Sequence, residues 1–70
     1  MSIQLTRCQA ITALCEGKNV FISAGIMHKL SCGVQFHHPE LVSRRTAAKT
    51  LRDCLPMPAY MKRYYWISNN

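Results

Sequence analysis

Seventy residues with nine Lys/Arg against three Asp/Glu give a formal charge of +6, and 49 % of the chain is hydrophobic. That hydrophobic share excludes a charged, disordered tail, and the length excludes two domains or a large enzyme scaffold. No run approaches the ~20 apolar residues of a membrane span, and the first residues lack the basic-then-apolar order of a signal peptide. The expectation is one cytoplasmic domain over 1–70, with no membrane partner.

A domain this small buries only about 60 % of the surface of its unfolded chain, so outside help is the usual remedy. Cys8, Cys15, Cys32 and Cys54 invite a disulfide reading. Without an export signal, reduced and mostly buried thiols are the better expectation. Cys8 and Cys15 lie roughly 10 Å apart along one helix, too far for a bridge. Cys32, His37, His38 and Cys54 supply ligand types that zinc accepts, but their spacing lacks two close pairs. No metal or other cofactor is expected. A second copy of the chain, in a homodimer, is the expected help.

In chain order, Thr6 and Gln9 have the spacing of a capping box, and Leu5 precedes them as a residue that packs back on the first turn. Cys8, Ile11, Leu14 and Cys15 make an apolar stripe, with Arg7, Gln9, Thr12 and Glu16 outside it. Gly17 suits the closing left-handed turn. These residues predict a helix over 6–16. Val20, Phe21 and Ile22 predict a strand within 19–23, covered on both faces. The stretch 24–37 is ambiguous. Ser23 suits the cap of a short helix closed by Gly33, or a turn leads into an extended 26–32. Val34 and Phe36 alternate with Gln35 and His37 as in an edge strand.

Pro39 fits a first helical position beside Glu40, and Leu41, Ala48, Leu51 and Leu55 mark one side, widened by Val42, Ala47 and Cys54. Pro56 and Pro58 stop the run, which predicts one helix over 39–54. Tyr64-Tyr65-Trp66-Ile67 predicts a strand over 63–67, with Tyr64 and Trp66 on one face and Tyr65 and Ile67 on the other. Trp66 is expected in the core, and 68–70 as a frayed end. Together these elements predict an α+β fold, two helices packed on one face of a small, mainly antiparallel sheet of two to three strands.

The charge is uneven: 1–39 carries a net +2 and 40–70 a net +4. Arg45, Lys49 and Arg52 are four and three apart and form one polar ridge, with Arg44 nearer the apolar side. Thr46 and Thr50 flank the ridge as possible phosphate donors. Beyond it, Lys62 and Arg63 interleave with Tyr60, Tyr64 and Tyr65, residue types shared by protein hot spots and base-stacking surfaces. Glu16, Glu40 and Asp53 are scattered, and no phosphate loop or catalytic motif occurs, so no enzyme is expected. The sequence predicts a non-catalytic regulator or inhibitor that binds a protein partner, such as one with an acidic surface, through the basic helix face and the Tyr/Trp-rich end. Its alternative is a nucleic-acid-binding, DNA-binding regulator contacting phosphates through Arg44, Arg45, Lys49, Arg52, Lys62 and Arg63.

Overall fold

The structure is a computed structural model that describes residues 2–24, 31–55 and 61–68. Its elements are β1 (Ser2–Leu5), α1 (Arg7–Cys15), β2 (Val20–Ala24), β3 (Ser31–Val34), a 3-10 turn (Pro39–Leu41), α2 (Arg44–Asp53) and β4 (Arg63–Ser68). The strands form one antiparallel sheet in the order β1-β4-β2-β3. The α+β class is as the sequence predicts, but the sheet has four strands rather than two or three. The added one is β1, where Ile3 and Leu5 alternate with Ser2 and Gln4.

α1 follows its local signals. Thr6 Oγ1 accepts from the Gln9 amide at 3.2 Å, and the Gln9 side chain accepts from the Thr6 amide at 2.9 Å. Gly17, at φ +85°, ends the helix: its amide donates to the Leu14 carbonyl and the Lys18 amide to the Ala13 carbonyl. That pair of bonds is the Schellman arrangement. The buried stripe is Ala10, Ile11, Ala13 and Leu14, so exposed Cys8 lies off it. Cys15, Cys32 and Cys54 are only half-buried, which corrects the expectation of mostly buried thiols.

Strand register decides what faces inward. Val20 pairs with Ile67 and Val34, and Ile22 with Tyr65 and Cys32, so these residues share the helix side. Phe21 pairs with Trp66 and Gly33 on the opposite side. Phe21 is 38 % exposed, so β2 is not covered on both faces. Trp66 is half-buried on that outer side, where its indole N–H donates to Ser23 Oγ at 3.0 Å. The large aromatic in the core is Tyr65, 8 % exposed, and not Trp66.

The core beneath the helices joins Leu14, Val20, Ile22, Leu51 and Tyr65 with Ala10, Ala13 and Ala47. The alanines let the two helices lie close, and each fully buried Leu or Ile contributes ~1.5–3 kcal/mol. Ser23 and Gly33, the cap and the close of one of the two readings of this stretch, both lie in strands. Residues 25–30 of that ambiguous stretch lie outside the described ones. The edge strand ends at Val34, although Phe36 still packs half-buried against the core.

The helix expected over 39–54 is broken. Val42 is extended (φ −107°, ψ 124°), and Ser43 starts a new helix by accepting the Thr46 amide at 3.1 Å. A serine followed by good helix formers outcompetes continuation of the tighter 3-10 turn. The break turns Leu41 out of the apolar side, to 80 % exposure.

Candidate functional site

α1 and α2 run antiparallel across the sheet. The Arg44 guanidinium donates to Thr12 Oγ1 at 2.9 Å, which sets the start of α2 beside the last turns of α1. The far end of α2 then meets the beginning of α1, so Arg52 and Arg7 line the same hollows. Arg7 does not stand out in the sequence, because its neighbours on α2 are about forty residues away.

Two adjoining hollows carry the positive charge. One, of about 420 Å³, runs along α2 between Arg45, Lys49, Arg52 and Arg7. The other, of about 560 Å³, lies between the start of α1 and β4, where Arg7 and Arg52 face Lys62, Arg63 and Tyr64. Among the described residues, no carboxylate lines either one. The three acids are engaged locally, Glu16 with Lys18, Glu40 beside His38, and Asp53 with Arg52. Arg7, Arg45, Lys49 and Lys62 have no carboxylate partner among the described residues. Arg7 and Arg45 also occupy first helical turns that contain no acidic residue, where the helix dipole favours anions. That placement lowers helix stability slightly and concentrates positive potential on one side of the molecule.

The cations predicted as contacts therefore divide. Arg45, Lys49 and Arg52 are exposed on one ridge, as expected. Lys62 is exposed, with Nζ 5.5 Å from the centre of the Tyr64 ring, a cation–π distance. Arg63 and Arg44 have structural partners. Arg63 sits on the inner side of β4, and its Nη2 donates to the carbonyls of Arg52 (3.1 Å) and Leu55 (3.4 Å) at the end of α2. A cation there complements the negative end of the helix dipole. Its Nε is buried with no hydrogen-bond partner among the described residues. Arg44 is committed to Thr12, bracing the two helices.

Among the aromatic residues expected as contacts, Tyr65 is buried in the core and lines the larger hollow with its neighbour Tyr64. Tyr60 lies outside the described residues. Of the threonines, Thr50 Oγ1 donates its hydrogen to the Thr46 carbonyl, while Thr46 Oγ1 accepts from Ser43 Oγ.

The described cysteines and histidines do not gather into a metal-ligand group. His37 and His38 are exposed, and no group of three metal-binding side chains forms among the described residues. Cys32 and Cys54 do meet, with Sγ atoms 2.7 Å apart. Burial pushes the Cys54 thiol up to about 12, the hydrogen bond and charge of Cys32 push the same way, and the Arg63 charge opposes them. No helix among the described residues is long and apolar enough to cross a membrane. Comparison with protein-family models, curated proteins and solved structures returned no match.

Proposed function

We propose that the protein is a non-catalytic regulator that binds nucleic acid, holding the phosphate backbone along the hollows between α1, α2 and β4. The observation that carries this reading is the wall where Arg7 of α1, Arg45, Lys49 and Arg52 of α2 and Lys62 just before β4 line the two hollows, with only Arg52 paired to a carboxylate among the described residues. Lysines and arginines so arranged neutralise phosphates and release counterions, and they position a backbone without reading bases. The placement of cations in both first helical turns supports the same reading, because a protein under selection for stability alone would favour acids there.

A protein partner, the other expectation from the sequence, keeps one supporting observation. The sheet side away from the helices carries Phe21, Tyr64 and Trp66, residue types favoured at protein interfaces. Of the contact surface first expected, Tyr65 packs into the core and Arg63 is bonded to the end of α2.

The deciding experiment measures binding to mixed-sequence duplex and single-stranded oligonucleotides across a salt series. The triple variant Arg7→Gln/Arg45→Gln/Lys49→Gln should flatten the log–log salt slope by about 2.7 on duplex or about 2.1 on single strands. An unchanged slope, or no binding to either oligonucleotide at low salt, refutes the proposal. Capture of one protein from nuclease-treated lysate, abolished by changes at Phe21 or Trp66, would favour the partner reading instead.

A further inference from the structure

We propose that Cys32 and Cys54 form a reversible modification site, which a small-molecule disulfide oxidises to an internal bridge between β3 and the end of α2. Cys32 lies on the helix side of β3, opposite Ile22, and Cys54 caps the last turn of α2. The two residues are 22 apart in sequence, yet the Cys54 thiol donates to Cys32 Sγ at 2.7 Å. A disulfide needs ~2.05 Å, so the sulfurs must close by only about 0.65 Å. The other two cysteines do not compete. Cys8 and Cys15 are both on α1, two turns apart.

The fold also orders the chemistry. Burial holds Cys54 protonated, so Cys32 attacks first. Its sulfur displaces one half of a disulfide such as oxidised glutathione, and its proton leaves with the departing thiol. Cys54 then attacks the Cys32 sulfur of the mixed disulfide, passing its own proton to the second departing thiol. Two protein thiols are thereby oxidised by two electrons, and one small disulfide is reduced to two thiols. The bridge fastens the edge strand to the end of the helix that carries Arg52 and receives the Arg63 guanidinium.

The test treats the folded protein with oxidised glutathione, quenches with acid, and reads intact mass, non-reduced peptides and thermal midpoint. The expected product has lost two hydrogens and yields a single Cys32–Cys54 cross-linked peptide. Cys8 and Cys15 remain alkylatable. The oxidised form melts about 10 °C or more higher, because the bridge restricts a long loop of the unfolded chain. Cys54→Ser should stop at a glutathione adduct on Cys32. Adducts that persist without the Cys32–Cys54 peptide, links scattered among all four cysteines, or an oxidised form that melts no higher would overturn the proposal. A Cys54→Ser protein without the stalled adduct on Cys32 would overturn the order of attack.

Discussion

Leu51 and Leu41 belong to one apolar stripe if residues 39–54 form a single helix, and to different environments if the chain breaks at Val42-Ser43. Leu51 is fully buried among Leu14, Ile22 and Ala47, whereas Leu41 keeps 80 % of its surface in solvent. Truncating a buried leucine to alanine costs ~3–5 kcal/mol, the transfer term plus the cavity. Leu41 has only about a fifth of its surface to lose, which scales full burial at ~1.5–3 kcal/mol down to ~0.3–0.6 kcal/mol. A domain of this length has roughly 3.5–10 kcal/mol of total stability. Leu51→Ala should therefore bring the fold close to collapse, while Leu41→Ala should be nearly silent. Urea titration followed by far-ultraviolet circular dichroism is the assay. The Leu51→Ala midpoint should fall by about 2 M or more, and that of Leu41→Ala by under about 0.5 M. Losses of similar size would put Leu41 back against the core and refute the break, and with it the placement of the α2 ridge.

Gly17→Ala places a Cβ at φ +85°, 3.1 Å from Pro39 Cγ, and should cost about 1–2 kcal/mol, checked by the same titration. Cys54 should make the reduced protein sensitive to alkali. Its folded value of about 12 lies above the ordinary 9.0, so its contribution is complete below about pH 9 and is lost as pH rises from there towards 12. Between about pH 8 and about pH 10.5 the wild type should lose more stability than Cys54→Ser, and parallel profiles would contradict this.

The legible parts of the fold have short-range causes. α1 is fixed by Thr6, Gln9 and Gly17, all within a turn of its ends, and these residues are visible as a pattern. β1 offers only four residues, and its pairing partners lie sixty or more positions away, so the alternation of Ile3 and Leu5 counts for little without β4 beside it. The break before α2 sets two start signals, Pro39 and Ser43, four residues apart, and only their bonding shows that the second begins the longer helix. The site follows the same division. Arg45, Lys49 and Arg52 share a face by helical spacing alone. Arg7 joins them through antiparallel packing, which no local pattern reports. Alternation in β4 separates Tyr64 and Trp66 from Tyr65 and Ile67, but it does not say which side meets the helices. Register against Val20 and Ile22 decides that, sending Tyr65 into the core and Arg63 to the end of α2.

The strand order β1-β4-β2-β3 has a kinetic consequence. The β2–β3 pair can assemble as soon as Val34 has been made, but β1 has no neighbour until β4 arrives and fills the gap between β1 and β2. On a ribosome, β1 is made well before β4 and must therefore wait for it, with its unpaired edge available to other chains meanwhile. Closing so long a loop before the sheet is complete makes the topology slow to fold for its size. A chain stopped short of Arg63 would lack an interior strand rather than an edge, so the sheet stays open until β4 emerges.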